Sequence, residues 1–165
     1  HDELGRILMQ TRRALLDDGS EDAVLEALNS WKKTITIFDL EERRTKAKDP
    51  LTYLIQTANA VGVKLVFLGD FPKEQEIREF AVKIAAEALT NAVRHADARK
   101  LQIESKKENG WQILSFQNDG NKPKGPIEPA GGLAGLIRQI EAAGGVVTIE
   151  WTPRFCLTVK LICTC

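Results

Sequence analysis

Apolar residues recur at steps of three and four along two stretches near the start of the chain, residues 4–15 and 24–38. This spacing predicts two amphipathic helices. Between them, Gly19 and Ser20 suit a helix C-cap and the N-cap of the next helix. Two helices with one apolar seam each cannot enclose a core, so we expect a hairpin that pairs with a second copy in a four-helix bundle. The alternative is that the hairpin folds back onto its own chain.

The pattern changes after a charged segment, residues 41–49, which we interpret as a hinge. Asp49-Pro50 is typical of an N-cap followed by proline at the first helical position. Periodicity and turn residues then predict a helix from Pro50 to Gly62, a strand at 63–68, a helix at 74–96, strands at 100–107 and 111–117, a loop at 119–132, a helix at 133–143, and strands at 146–151 and 155–162.

Helices and mostly antiparallel strands in this order favour a two-layer sandwich over a doubly wound parallel sheet. The dipeptide Asn109-Gly110 suits a tight hairpin turn between two of the strands. The predicted fold class is therefore α+β. A helical hairpin over residues 1–48 precedes a two-layer α/β domain with a mixed, mostly antiparallel sheet over residues 49–165.

The composition narrows the possible functions. The chain has 165 residues, of which 43% are apolar, enough for one domain plus a smaller appendage. Lysine plus arginine and aspartate plus glutamate both number 23, and this neutrality argues against direct nucleic-acid binding. No apolar run reaches the roughly 18 residues of a membrane span, so the chain is expected to be soluble. Three cysteines, Cys156, Cys163 and Cys165, fit reduced thiols of a cytosolic protein.

One predicted helix carries a polar face that suits a metal-bound polyphosphate. At 3.6 residues per turn, Glu87, Asn91, Arg94 and His95 lie on one side of it. An asparagine oxygen is a ligand for Mg²⁺, and a glutamate can hold one of the waters of that ion. Arginine and histidine can meet phosphate oxygens with charge-assisted hydrogen bonds. A merely solvated helix face is the alternative.

Two further clusters follow along the chain. Asn118-Asp119-Gly120 stands where a strand gives way to a loop, and Asn118 or Asp119 could accept a hydrogen bond from an exocyclic amino group. Gly120 would let the backbone approach a flat ring. The glycine-rich stretch from Gly131 to Leu136 opens a helix, whose backbone N–H groups suit a phosphate. Each cluster alone is only a turn or a helix start.

Together, in this order, the three clusters resemble the catalytic core of a two-component sensor histidine kinase with an ATPase domain of the GHKL type. The resemblance covers nearly the whole chain and implies ATP and Mg²⁺ as cofactors. It implies a metal contact from Asn91, and Glu87 near the reacting phosphate. It also assigns the nucleotide-binding residues Asn91, Arg94, His95, Asn118, Asp119, Gly120, Gly131, Gly132, Leu133 and Gly135.

The start of the chain, His1-Asp2-Glu3-Leu4-Gly5, is similar to the phosphoacceptor motif of one histidine kinase subfamily. In that interpretation the neutral imidazole of His1 attacks the γ-phosphate, and Asp2 holds the productive tautomer and takes up the proton. A tag remnant is the alternative for a terminal histidine. Arg6 stands where relatives with phosphatase activity often carry Gln or His, and it cannot accept a hydrogen bond from an attacking water. Weak or absent phosphatase activity is therefore expected.

Two positions depart from the family pattern. Asn118 replaces the aspartate that most relatives place at the adenine amino group, and Ala130 stands where a glycine often begins the last motif. Exchanging a charged acceptor for a neutral one costs about 1 kcal/mol, so we expect weakened rather than abolished ATP binding.

The resemblance implies ATP-dependent autophosphorylation of His1 and phosphotransfer to an aspartate in the receiver domain of a response regulator. It further implies a homodimer through the hairpin and a cytoplasmic location, with any membrane anchor outside this sequence. Two alternatives remain: an inactive dimerisation and docking module that keeps the fold, and a GHKL kinase that phosphorylates a serine on a partner protein.

Overall fold

The computed structural model describes residues 49–163, together with the isolated positions Met9, Leu25, Leu28 and Asn29, which are helical. The chain separates into two compact units, residues 1–46 and 47–165. The predicted hairpin over residues 1–48, with the dimer bundle expected from it, lies outside the described residues. Its assignment as a dimerisation domain therefore stays a prediction.

The second unit contains three helices and five strands in its described part. The helices are α1 (Pro50–Ala60), α2 (Gln75–His95) and α3 (Gly131–Ala142). The strands are β1 (Lys64–Leu68), β2 (Lys100–Glu108), β3 (Trp111–Asn118), β4 (Val146–Glu150) and β5 (Cys156–Ile162). None of the helices in the described residues combines the length and apolarity that crossing a bilayer requires.

The strands form one mixed sheet in the order β1-β2-β3-β5-β4. Strands β1 and β2 are parallel, with Leu65 opposite Leu101. The other three pairs are antiparallel. The prediction of a mixed, mostly antiparallel sheet in an α/β fold is confirmed.

The core lies between the helices and one face of the sheet. Along β2, β3 and β5 alternate residues are buried, so one face of each strand is covered and the other is not. The inward residues include Ile103, Phe116 and Val159, all 0% exposed. Six apolar residues in the second half of α2 are buried: Ile84, Ala85, Ala88, Leu89, Ala92 and Val93. This burial fixes the rotation of α2 and directs its polar face away from the sheet.

Local sequence explains the start of α1 and the β2–β3 turn. The side chain of Asp49 caps α1 by accepting a hydrogen bond from the backbone N–H of Leu51 at 3.3 Å, and Pro50 follows as the first helical residue. In the turn, Asn109 and Gly110 have φ angles of 51° and 79°. Asparagine and glycine tolerate such angles best, so the predicted hairpin turn is confirmed.

The start of α3 differs from the prediction. The sequence predicted a loop up to residue 132, whereas the helix begins at Gly131. Its N-cap, Ala130, makes no capping hydrogen bond through its side chain. Glycine has a low helix propensity, and alanine is a poor N-cap residue. The sequence therefore gives no local signal for the first helical turn.

Candidate functional site

A cavity of about 360 Å³ opens between the C-terminal part of α2, the end of β3 and the start of α3. Four residues predicted for the site line it: Asn91, His95, Asn118 and Leu133. The segment between β3 and α3 supplies several further lining residues, among them Ile127 and Glu128. The structure thus brings together three clusters that are separated in the sequence.

The polar face of α2 begins with a pair of side chains one turn apart. The amide Nδ2 of Asn91 donates a hydrogen bond to Oε1 of Glu87 at 3.2 Å. This bond orients the Asn91 amide, so that its Oδ1 atom is the group left for a ligand. A neutral oxygen beside a carboxylate suits Mg²⁺, which is commonly held by one or two protein oxygens plus waters and phosphates. The donor set of these two residues therefore fits the predicted cation.

The next two predicted residues lie in the last turn of α2. His95 is exposed and lines the cavity, whereas Arg94 is half-buried and does not line it. The imidazole of His95 is therefore part of the cavity wall, and the guanidinium of Arg94 is not.

Asn118 is the last residue of β3, and its side chain lies in the cavity wall with 7% of its surface exposed. Its Oδ1 atom accepts a hydrogen bond from the backbone N–H of Gly120 at 3.0 Å. Alternation along β3 explains the inward direction, because the buried positions of the strand are every second residue back from Asn118.

Asp119 lies on the opposite side of the chain and is exposed. Its Oδ1 atom accepts hydrogen bonds from the backbone N–H groups of Arg99 at 2.9 Å and Lys100 at 2.8 Å. Partial burial raises the pKa of Asp119, but these backbone hydrogen bonds outweigh it, and the pKa falls below its usual value of 3.8. Asp119 therefore stabilises the backbone at the start of β2 and does not line the cavity.

Gly120 lies against the end of α2. A Cβ at this position would stand 2.2 Å from the carbonyl oxygen of Ala96, so no larger residue fits without a backbone shift. The same carbonyl accepts a hydrogen bond from the N–H of Asn121 at 2.7 Å. The expected reason for a glycine here was the approach of a flat ring, whereas the structure shows close contact between two backbone segments.

The glycine-rich start of α3 meets the polar face of α2. A Cβ on Gly132 would stand 2.5 Å from Oε2 of Glu87. Gly131 has a φ angle of 56°, which favours glycine, and a Cβ on Gly135 would meet only Arg138, at 3.9 Å. Of the three glycines, Gly132 is the one that allows close approach, and what it approaches is Glu87.

Sequence reasoning missed several apolar residues of the cavity wall. Phe155, just before β5, and Ala96, at the end of α2, both line it. Phe155 is 9% exposed and comes from a part of the chain far from the three clusters. No local signal marks it, since only the sheet order brings β5 beside β3. The predicted catalytic residues His1 and Asp2 lie outside the described residues.

Comparison by sequence relates part of the chain to a known protein. No family model matches the chain. Over 80 residues it is 29% identical to the signal transduction histidine-protein kinase/phosphatase UhpB of Salmonella typhimurium. The aligned stretch is 48% of this chain and 16% of UhpB, so the chain corresponds to a small part of that protein.

Comparison by structure covers more of the chain. The Acinetobacter baumannii histidine kinase AdeS matches with a TM-score of 0.51 and 16% identity, over 99% of this chain and 98% of that one. The ATP binding domain of PrrB from Mycobacterium tuberculosis matches with a TM-score of 0.50 and 17% identity, over 68% of this chain and 90% of that domain. At such low identities the likeness shows the fold.

The five-stranded mixed sheet and its helices have the fold of the ATP-binding domain of a histidine kinase. The resemblance to sensor histidine kinases that the motifs indicate is confirmed, because both the sequence relative and the structural relatives are histidine kinases.

Proposed function

We propose that this chain is the core of a sensor histidine kinase, which binds Mg-ATP in the described cavity, autophosphorylates His1 and passes the phosphoryl group to an aspartate of a response regulator. The observation that carries the proposal is the meeting of Glu87, Asn91 and Gly132, of which Asn91 lines the cavity. An oriented amide oxygen, a carboxylate and the start of a helix together suit a cation-bound polyphosphate.

The apolar part of the cavity wall suits a base. Apolar side chains of Ile127, Leu133 and Phe155 line it, and the buried amide of Asn118 supplies a polar contact. Pockets for small ligands combine an apolar lining with a few placed polar groups in this way. The cavity therefore offers an apolar wall to the base of a nucleotide and polar groups to its phosphates.

Within this proposal Asn91 would hold Mg²⁺ through Oδ1, and Glu87 would hold one of its waters. When bound, the cation supplies neutralisation of charge on the phosphate oxygens. His95 donates a hydrogen bond to a phosphate oxygen from the last turn of α2. The positive charge of Arg94, in the same turn, also stabilises the negative charge of the phosphates. The neutral imidazole of His1 attacks the terminal phosphorus in line, the bond from that phosphorus to the bridging oxygen breaks so that ADP leaves, and Asp2 takes up the imidazole proton.

The segment between β3 and α3 acts in the proposal as a lid that excludes water from the transferred group. It is attached at both ends, through Gly120 to the end of α2 and through Gly132 to Glu87. The proposed partners are a second copy of the chain, through the hairpin, and a receiver domain. The proposed location is the cytoplasm, as part of a longer receptor.

The test is phosphate transfer from radiolabelled ATP. The proposal expects label on His1 that is stable in base and labile in acid, and that is absent from His1→Ala and Asn91→Ala. The His1→Ala variant keeps the nucleotide cavity unchanged and so separates the acceptor from the binding site. Label on a serine of a partner would favour the serine kinase, and binding without any transfer would favour the inactive docking module.

A further inference from the structure

The turn between β2 and β3 consists of two residues, Asn109 and Gly110, and Glu108 and Trp111 are paired across it. Both turn residues are exposed, with φ angles of 51° and 79°. A Cβ on Gly110 would meet nothing within 4 Å, so the space beside this dipeptide is open. The turn lies at the opposite end of β3 from Asn118 and therefore away from the cavity.

Two neighbouring groups of this turn are free of hydrogen bonds. In the part of the chain that the structure describes, no hydrogen bond involves the side-chain amide of Asn109 or the backbone N–H of Gly110. The carbonyl oxygen of Gly110, by contrast, accepts a hydrogen bond from the N–H of Cys163 at 2.9 Å. The amide carbon of Asn109 and the backbone nitrogen of Gly110 are therefore available to react with each other.

This reaction makes asparagine a thermolabile residue. The backbone nitrogen of Gly110 attacks Cγ of Asn109, and the new C–N bond closes a succinimide ring. The bond from Cγ to the side-chain nitrogen breaks, and that nitrogen leaves as ammonia with the proton given up by Gly110. Water then adds to one of the two ring carbonyl groups. The ring opens to an aspartate or to an isoaspartate, in which the backbone runs through Cγ.

Three other asparagines among residues 49–163 lack a free nucleophile. Asn59 and Asn91 lie inside helices, where the next backbone N–H is bonded to a carbonyl group one turn earlier. Asn118 precedes Asp119, whose N–H donates a hydrogen bond to the carbonyl oxygen of Lys100 at 3.2 Å. In all three places the attacking nitrogen is already engaged.

Asn121 provides the closest comparison, because it is exposed as Asn109 is. It is followed by Lys122, whose side chain crowds the ring as it closes, whereas Gly110 has no Cβ. The two asparagines thus differ chiefly in the residue that follows. Faster reaction at Asn109 would measure the contribution of the glycine.

We propose that Asn109 is a site of spontaneous deamidation, at which the folded chain loses ammonia and gains a carboxylate. In the isoaspartate product one extra methylene group lengthens a turn that sets the register of β2 and β3. The new charge lies beside Glu108, whose carboxylate is paired with Lys106 at 3.4 Å. The modification therefore weakens the hairpin, and it is independent of the proposed function.

The experiment is a timed incubation of the whole folded chain in mildly alkaline buffer. Digestion at acid pH, where the reaction is slow, and mass spectrometry with electron-based fragmentation then measure aspartate and isoaspartate at each asparagine. Asn109 should react first, several-fold faster than Asn121, with isoaspartate as the main product. The rate should fall in mildly acidic buffer, because the nitrogen of Gly110 must lose its proton to attack.

Two variants serve as controls. Asn109→Gln keeps a side-chain amide but would need a larger ring, so position 109 should stay unmodified. Asn109→Asp has the new charge with a normal backbone. The chain that contains isoaspartate should unfold at a lower denaturant concentration than Asn109→Asp, because only isoaspartate lengthens the turn.

Four outcomes would overturn the inference. If Asn109 stays intact in the folded chain while the denatured chain reacts, the turn protects it. If another asparagine between residues 49 and 163 reacts first, the comparison of free and engaged N–H groups is wrong. Aspartate without isoaspartate would exclude the succinimide. Equal stability of the isoaspartate chain and Asn109→Asp would contradict the effect on the hairpin.

Discussion

The carboxylate of Glu87 lies against Gly132, so closely that a Cβ on Gly132 would stand 2.5 Å from Oε2. Glu87 belongs to α2 and Gly132 to the first turn of α3. The same carboxylate accepts the amide hydrogen bond of Asn91. The position of α3 and the orientation of the proposed cation ligand are thus connected through one side chain.

Gly132→Ala should therefore impair the site more than the fold. The new methyl group displaces a flexible carboxylate and not backbone, so the free energy of unfolding should change by less than about 1 kcal/mol. The displaced carboxylate releases Asn91, and Mg-ATP affinity should fall several-fold. Thermal unfolding and calorimetric titration measure the two effects.

The matched control is Gly125→Ala, at a glycine with no assigned role in binding, where a Cβ would meet nothing within 4 Å. It should bind Mg-ATP as the unmodified chain does. Equal losses of affinity in both variants would show that the contact with Glu87 does not matter.

Gly120→Ala should destabilise the domain itself. Its Cβ would meet the backbone carbonyl of Ala96 at 2.2 Å, and backbone cannot move aside as a side chain can. We expect a loss of about 2–3 kcal/mol in the free energy of unfolding, measured with denaturant. Gly125→Ala is the control, because a Cβ there has nothing within 4 Å. Unchanged stability of Gly120→Ala would contradict the observed close contact.

Asp119 should make stability depend on pH in the acid range. Because its folded pKa is lowered from 3.8, its charge stabilises the fold above that value, and the contribution is lost as pH falls through the lower folded pKa. Asp119→Asn keeps an oxygen for the N–H groups of Arg99 and Lys100 but removes the charge. The unmodified chain should be the more stable of the two at pH 7, and the difference should shrink as pH falls below 3.8.

Denaturant unfolding of both proteins from pH 7 to pH 3 measures this difference. Asp119→Ala, which removes the oxygen that accepts both hydrogen bonds, should be less stable than Asp119→Asn at every pH. A constant difference between the unmodified chain and the Asp119→Asn variant across the range would show that the carboxylate charge contributes nothing.

The sequence predicted the elements whose signals are local. The helix predicted at 74–96 agrees with α2 to within one residue at each end, and Asp49-Pro50 located the start of α1 to the residue. The turn at Asn109-Gly110 follows from backbone angles that these two residues adopt readily. Such features need no information from the rest of the chain.

The site was predictable only in part. Alternation along β3 assigns Asn118 to the inside and Asp119 to the outside, whereas the residue types alone make either one a candidate acceptor. The roles of Gly120 and Gly132 depend on contacts with Ala96 and Glu87, which are distant in sequence. Phe155 enters the cavity only because β5 pairs with β3. Contacts of this kind are set by tertiary structure and leave no local pattern.

The most direct test of the central claim is a calorimetric titration of this chain with ATP, with and without Mg²⁺, beside Asn91→Ala. The proposed site predicts binding that depends on Mg²⁺ and that Asn91→Ala removes, because this variant takes away the oxygen proposed for the cation. The result does not require His1 to be phosphorylated. Absence of binding at millimolar ATP, or equal binding by Asn91→Ala, would contradict the assignment of this cavity as a Mg-ATP site.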